Sequence, residues 1–193
     1  MDQAIILDKP RIYPDLLAKS KEIGFDMPSD MFIGALLKTL IASKPGGNFL
    51  ELGTGMGLSL SWMLKGMDEN SKVLSIDNDL ELTQIAKDFF EADERLQLVC
   101  ADGEEWISTY KGSKFDLIFA DAWPGKYSLL DATLELLNIG GFYVIDDMSY
   151  QTNWPQGHDK KASELIQILE AKKDFTITKM DWSTGLIVAV KIK

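Results

Sequence analysis

The chain has 193 residues, of which 46% are hydrophobic, and a formal net charge of −10 at pH 7. This size suits one domain with a buried core, and the acidic excess argues against a nucleic-acid partner, because phosphate binding needs a basic surface. No apolar run approaches the roughly 18 residues of a membrane span, and the start lacks the basic segment of a signal peptide. Because Cys100 is the only cysteine, we expect a cytoplasmic protein without an internal disulfide.

The first 44 residues are predicted to form a helical extension of a domain that spans residues 45–193. Ser29 and Asp30 are typical of a helix start, and the amphipathic stretch 31–42 follows them. The extension carries no functional motif. The region before Met27 could pack on the domain, cover its pocket or form the contact of a homodimer.

From residue 48 onward, predicted strands alternate with predicted helices. The strands are expected at 48–52, 72–76, 96–100, 115–120, 142–145, 175–180 and 186–192, and the helices at 58–66, 80–92, 104–110, 127–137 and 160–172. This alternation predicts an α/β fold, in which a parallel sheet has helices on both faces. The short link between the last two strands predicts that this pair is antiparallel. Cys100 ends the third strand and is expected to be a small core residue.

The most informative segment is residues 49–57, an apolar strand that ends in an acidic residue and three alternating glycines. A strand that passes through a glycine-rich turn into a helix brings main chain close to a ligand. The N–H groups of the helix N-terminus point into the same space. Because Leu58 stands where a dinucleotide fold needs its third glycine, the segment predicts another nucleotide-like cofactor. The alternative is a tight turn without a ligand.

The spacing E-x-G-x-G-x-G resembles motif I of the class I S-adenosylmethionine (SAM)-dependent methyltransferases. Their architecture is Rossmann-like, with a seven-stranded, mostly parallel sheet and a terminal antiparallel strand, and it matches the predicted elements. The resemblance implies that Glu51 lies near the cationic end of SAM and that Ser59 lies near its carboxylate. The turn residues that would contact its methionine part are Gly53, Thr54, Gly55 and Gly57.

Carboxylates at the ends of the next two strands could hold the nucleoside part of SAM. Asp77 ends the second strand, where a carboxylate can accept hydrogen bonds from both ribose hydroxyls. The alternative is a helix N-cap, for which Asp79 is better placed. In the family, the residue at the position of Asp102 reaches the adenine amino group. Gly103 follows Asp102 in this chain. Asp102 could also cap the next helix, and both roles can hold together.

Three aspartates, Asp121, Asp146 and Asp147, follow the fourth and fifth strands, whose ends we expect to meet. Three carboxylates at one place repel each other unless a positive group lies between them. Oxygen ligands suit Mg²⁺, Mn²⁺ or Ca²⁺, so the pattern predicts a divalent-cation site. The alternative is that one aspartate caps a helix and another faces water.

Two segments, residues 115–127 and residues 140–147, resemble the catechol O-methyltransferase and caffeoyl-CoA O-methyltransferase family, of the bacterial type. The resemblance implies that the three aspartates hold the metal, although the family usually has Asp-Asn where this chain has Asp146 and Asp147. It also implies that Asp121 borders the cofactor site and that Trp123 packs on the adenine. A core or surface role is the alternative for Trp123.

One departure from the family concerns the base. The family lysine that serves as base lies three residues after the first aspartate, where this chain has Pro124. If a base is needed, Lys126, Tyr127 or the only histidine, His158, must supply it. A histidine titrates near neutrality, and its alternative role here is that of a helix cap or a solvated loop residue.

These features predict a SAM-dependent O-methyltransferase that uses Mg²⁺ or Mn²⁺ to methylate a small molecule with vicinal hydroxyls, such as a catechol. Tyr150, Trp154 and Pro155, in the loop that includes Asn153, are expected to form walls for an aromatic ring. Two alternatives stay open. One is a metal-independent methyltransferase, and the other is a SAM-binding protein without catalysis.

Overall fold

The computed structural model describes residues 2, 4–152 and 154–193, and Asn153 of the predicted acceptor loop therefore lies outside the described residues. The helices are α1 (Tyr13–Ile23), α2 (Met31–Ala42), α3 (Leu58–Gly66), α4 (Leu80–Phe90), α5 (Gly103–Thr109), α6 (Leu130–Glu135) and α7 (His158–Ala171). The strands are β1 (Asn48–Leu52), β2 (Lys72–Asp77), β3 (Leu96–Cys100), β4 (Phe115–Ala120), β5 (Leu137–Ile145), β6 (Phe175–Met180) and β7 (Leu186–Lys191).

The strands form one seven-stranded sheet in the order β3-β2-β1-β4-β5-β7-β6. The first five strands pair in parallel, whereas β7 lies antiparallel between β5 and β6. The predicted α/β fold class, with a mostly parallel sheet and a terminal antiparallel strand, is confirmed. Because these five strands are parallel, their carboxyl ends lie at the same end of the sheet. Ligands bind there in such folds, at the place where the strand order reverses, which is between β1 and β4.

Two hydrophobic cores cover the two faces of the sheet. Successive strand side chains point to opposite faces, and accordingly Phe49 belongs to one core and Leu50 to the other. Helices α1 to α4 contribute to the first core and helices α5 to α7 to the second. The N-terminal extension therefore packs on the domain, with Tyr13 of α1 against Trp62 of α3. No helix in the described part of the chain is long and apolar enough to cross a membrane.

The structure corrects two predicted boundaries near the site. The helix expected from Tyr127 begins only at Leu130, because the N–H groups of Tyr127 and Ser128 both donate to the main-chain oxygen of Trp123 and form a turn. The strand expected from Phe142 begins already at Leu137. A register shift in the pairing of β4 with β5 accommodates this longer strand.

The prediction that Cys100 is a core residue is wrong, because its side chain is exposed. Cys100 ends β3, which is the edge strand of the sheet. An edge strand has a neighbour on one side only, so an apolar run at this position does not ensure burial at the end of the strand.

Candidate functional site

The turn between β1 and α3 has the left-handed conformation that favours glycine. The φ angles of Gly53, Gly55 and Gly57 are +100°, +50° and +96°. A Cβ atom on Gly57 would lie 2.5 Å from Cε2 of Phe90, and one on Gly53 would lie 2.8 Å from the main-chain oxygen of Asp121. Backbone conformation and close packing thus explain the three glycines. The glycine turn brings main chain close to the carboxyl ends of the strands.

A cavity of about 390 Å³ lies over this turn. Most of the residues predicted to contact a cofactor line it, namely Gly53, Thr54, Gly55, Ser59, Asp77, Asp102, Gly103, Asp121 and Trp123. Glu51 and Gly57 lie outside the lining. Phe25, Met27 and Ser29, from the link between α1 and α2, complete the wall. No local pattern predicted that these three residues line a cavity, because the strand ends that they approach lie far along the chain.

Glu51 is buried beneath the turn. Its carboxylate accepts hydrogen bonds from the hydroxyl of Ser59, at 2.6 Å, and from the hydroxyl of Ser75. Burial raises the pKa of Glu51 to about 7, although the two serine hydrogen bonds oppose this effect. Glu51 does not line the cavity but bonds to Ser59, which does, and its role toward a cofactor stays a prediction.

The aspartates at or just after the ends of β2 and β3 make local hydrogen bonds and also line the cavity. Asp77 accepts hydrogen bonds from the N–H groups of Gly55, at 2.7 Å, and Asp79, at 2.9 Å. Asp79 caps α4, as expected, and Asp102 caps α5 through the N–H of Glu105. Since Asp77 and Asp102 also line the cavity, their predicted contacts with ribose and adenine remain compatible with the structure.

The pairing of β4 with β5 brings Asp121, Asp146 and Asp147 to the same end of the sheet. Burial raises the pKa of Asp121 well above its usual range, and repulsion from Asp146 adds to the effect. Burial also raises the pKa of Asp146 to about 6. Lys126, which is 5% exposed, opposes both shifts. Its Nζ atom donates to the main-chain oxygen of Asp146 at 2.5 Å.

We call Asp121, Asp146, Asp147 and Lys126 the aspartate cluster. Within the described ranges, no three or more acidic, histidine or cysteine side chains are grouped so that they could hold a metal. Oδ1 of Asp146 already accepts hydrogen bonds from the N–H of Asp147 and the hydroxyl of Thr184. The positive group beside these carboxylates is the ammonium of Lys126, which donates to the Asp146 main-chain oxygen. The predicted Mg²⁺ or Mn²⁺ site is therefore not confirmed.

Beside the aspartate cluster lies an aromatic cluster of Trp123, Tyr127, Tyr150, Trp154 and His158. The ring centroids of Trp123 and Tyr127 are 4.9 Å apart, those of Trp154 and His158 4.4 Å, and those of Tyr150 and Trp154 5.9 Å. The hydroxyl oxygen of Tyr127 lies 3.0 Å from Nε2 of His158. Two of the three predicted wall residues, Tyr150 and Trp154, thus belong to one set of packed rings.

The environment of His158 favours its neutral form. Burial lowers the pKa of this imidazole, and the positive charge of Lys126 lowers it further. His158 is the first residue of α7, and Gly157 precedes it at the cap position, so His158 is neither the helix cap nor the loop residue that the sequence offered as alternatives. Within the described residues, its Nδ1 atom is buried and has no hydrogen-bond partner.

Comparisons with known proteins agree with this fold. Residues 17–182 match the model of a family described as O-methyltransferase. The chain belongs to this O-methyltransferase family. The resemblance that the sequence indicated is thereby confirmed at the level of the family.

Individual O-methyltransferases extend the comparison. A putative O-methyltransferase of Mycobacteroides abscessus is 28% identical and aligns over 92% of this chain and 88% of its own length. An O-methyltransferase from Bacillus cereus, solved in complex with SAH, has a TM-score of 0.82 at 19% identity, covering 97% of this chain and 94% of that chain. A putative caffeoyl-CoA O-methyltransferase from Staphylococcus aureus has a TM-score of 0.80 at 18% identity, covering 93% and 91%. The two solved structures confirm the fold.

Proposed function

We propose that this O-methyltransferase transfers the methyl group of SAM to a hydroxyl group on a small aromatic acceptor. One observation carries the proposal. Asp121 and Trp123 line the cofactor-sized cavity, and they also belong to the aspartate cluster and the aromatic cluster. A methyl donor in the cavity would therefore face both carboxylates and rings.

The cavity suits SAM in size and in chemistry. Its volume of about 390 Å³ is within the range of small-molecule sites. Asp77 would accept from the ribose hydroxyls, Asp102 with Gly103 would meet the adenine amino group, and Trp123 would pack on the adenine ring. A cationic group of SAM near Glu51 would lower the pKa of this buried carboxyl, because a neighbouring positive charge favours the ionised form, and the carboxylate would then attract that end of SAM. The Bacillus cereus neighbour, whose structure contains SAH, supports this cofactor.

The reaction requires an acceptor oxygen in line with the methyl group and a group that receives its proton. The oxygen forms the new bond to carbon, and the electron pair of the broken S–CH₃ bond stays on sulfur. We assign the proton to Tyr127 and His158. The acceptor proton would pass to the Tyr127 oxygen as Tyr127 gives its own proton to Nε2 of His158, 3.0 Å away. Lys126 is less suited to this role, because its ammonium is buried against the Asp146 carbonyl.

The proposed acceptor is a phenol. Packed aromatic side chains bind planar rings well, and Tyr150 and Trp154 offer such a surface next to His158. The expectation of vicinal hydroxyls came from chelation to a metal. Catechols stay among the first acceptors to test because of the family resemblance, with monophenols beside them.

The test is a methyl-transfer assay with SAM and a panel of catechols and monophenols, in which both S-adenosylhomocysteine and the methylated product are measured by mass spectrometry. We expect methyl ethers of phenolic oxygen. Trp154→Ala should raise KM for the acceptor and leave SAM binding unchanged. SAM binding without transfer to any phenol would favour the non-catalytic alternative.

A further inference from the structure

We infer that Lys126 is the resident cation of the aspartate cluster and stands in place of a divalent ion. The inference deepens the proposed function and rests on it for one point only, which is that the acceptor oxygen binds beside this cluster. Everything else in it concerns the charges and contacts of the chain itself.

The position of Lys126 is that of a structural cation rather than a surface lysine. Its side chain is 5% exposed, and its Nζ atom donates to the Asp146 carbonyl and lies 5.2 Å from the centroid of the Tyr127 ring. A buried ammonium is costly unless anions or carbonyls compensate it. Asp121, Asp146 and Asp147 all favour the protonated lysine and oppose the effect of burial, which lowers its pKa.

A turn at Gly125 places Lys126 in the aspartate cluster. Gly125 has a φ of +83°, and a Cβ atom there would clash with the side chain of Leu52. The hydroxyl of Tyr143 donates to the Gly125 carbonyl at 2.6 Å, and the N–H of Lys126 donates to the Trp123 carbonyl at 3.3 Å. These two bonds hold the peptide between Gly125 and Lys126, and the turn thereby places the lysine side chain next to Asp146.

The same contacts disfavour a divalent ion. Asp146 uses Oδ1 for the hydrogen bonds from Asp147 and Thr184, and Oδ2 of Asp121 accepts from the hydroxyl of Ser29 at 3.3 Å. A divalent ion at these carboxylates would also lie close to the ammonium, and like charges repel strongly where little water screens them.

An ammonium in place of a metal ion changes which acceptors the site can bind. A positive charge beside a hydroxyl lowers its pKa whether a metal or an ammonium supplies it. A metal with open positions can chelate two neighbouring oxygens, whereas a lysine is a point charge with single N–H donors. The site therefore should accept a single phenolic hydroxyl as well as a vicinal pair.

The first test is a Mn²⁺ titration of EDTA-stripped protein saturated with S-adenosylhomocysteine, with free Mn²⁺ followed by electron paramagnetic resonance. We expect no stoichiometric Mn²⁺ site in the wild-type protein. One Mn²⁺ per chain that disappears in the Asp147→Asn variant would overturn the inference. The measurement needs no acceptor, and failure of the protein to bind S-adenosylhomocysteine would count against the proposed function instead.

The second test measures coupling between the lysine and a carboxylate in urea unfolding. Lys126→Met should lower the unfolding midpoint, since it leaves the carboxylates without a cation, and adding Asp121→Asn should restore part of the loss. Lys179→Met is the surface control. Strictly additive effects of the two substitutions would overturn the inference. If Lys126→Met alone does not fold, folding of the double variant would still show that the two residues are coupled. The Mn²⁺ titration does not depend on these variants, because it uses the wild type.

Discussion

The hydroxyl oxygen of Tyr127 lies 3.0 Å from Nε2 of His158 and joins the turn after β4 to the first residue of α7. The sequence left three candidates for the base, Lys126, Tyr127 and His158. The structure puts Tyr127 and His158 in one hydrogen-bonded pair, whereas Lys126 lies among the aspartates. The two clusters can therefore be tested separately.

The pH dependence of turnover tests the assignment of the proton to His158. Burial lowers the pKa of His158 from its usual value of 6.5, and only the neutral imidazole can receive a proton. Activity should therefore be constant near neutrality and fall as the pH drops through a value below 6.5. His158→Gln should lower kcat by about 10²-fold or more and remove this acidic limb. An unchanged pH profile in His158→Gln would exclude the assignment.

Asp77 is the test residue for the cofactor cavity. Asp77→Ala would remove the predicted ribose acceptor and also the hydrogen bond that anchors Gly55. Since a hydrogen bond to a charged group contributes about 1.5–3 kcal/mol, affinity for S-adenosylhomocysteine should fall about tenfold or more in calorimetry. Asp88→Ala, on the exposed face of α4, is the control. Equal affinity of the Asp77 variant and the wild type would contradict the ribose role.

Glu51 should make the protein less stable as the pH rises. Its pKa is about 7 in the folded chain and 4.5 as the ordinary value, so the folded state keeps a proton that the unfolded state has lost. The contribution of Glu51 to the free energy of unfolding is fully present below pH 4.5. It is lost as the pH rises to about 7, and the loss is about 3 kcal/mol.

Glu51→Gln removes this titration, so its free energy of unfolding relative to the wild type should rise between pH 5 and pH 8. Urea unfolding at both pH values measures the difference, and Glu94→Gln, on the surface, is the control. If the difference between wild type and Glu51→Gln is the same at both pH values, the carboxyl is not protonated in the folded state.

Two glycines with similar backbone angles separate conformational cost from packing cost. Gly24 and Gly57 both have positive φ, at +69° and +96°, but a Cβ atom meets nothing within 4 Å at Gly24 and lies 2.5 Å from Phe90 at Gly57. Gly24→Ala should cost about 1–2 kcal/mol of unfolding free energy, and Gly57→Ala about 1–3 kcal/mol more. Equal costs would show that Phe90 moves aside freely.

The fold could be predicted because its signals are local. Strand and helix alternation, the glycine spacing and the acidic residues at the strand ends all lie within short windows, and the parallel order then brings Asp121 and Asp146 together. The boundary errors arose where distant contacts decide. Tyr127 lies outside α6 because its N–H bonds to Trp123, and Cys100 is exposed because β3 is an edge strand.

The site was harder to predict, because its charges are compensated by residues far apart in the chain. The bonds from Ser29 to Asp121 and from Thr184 to Asp146 span 92 and 38 positions. The burial of Lys126 depends on the left-handed angle at Gly125. A positive group between the carboxylates was expected from charge repulsion, but the residue types alone favoured a metal over a lysine.

The order of strands also bears on how the chain is made. β7 is synthesised after β6 but lies between β6 and β5, so β6 has no place in the sheet until β7 has left the ribosome. The link before β7 carries Thr184 and Gly185, which bond to Asp146, Ser149 and Met148. The carboxylate of Asp146 therefore gains its bond from Thr184 only after the chain has been made beyond β6, and a nascent chain that stops at β6 lacks this bond.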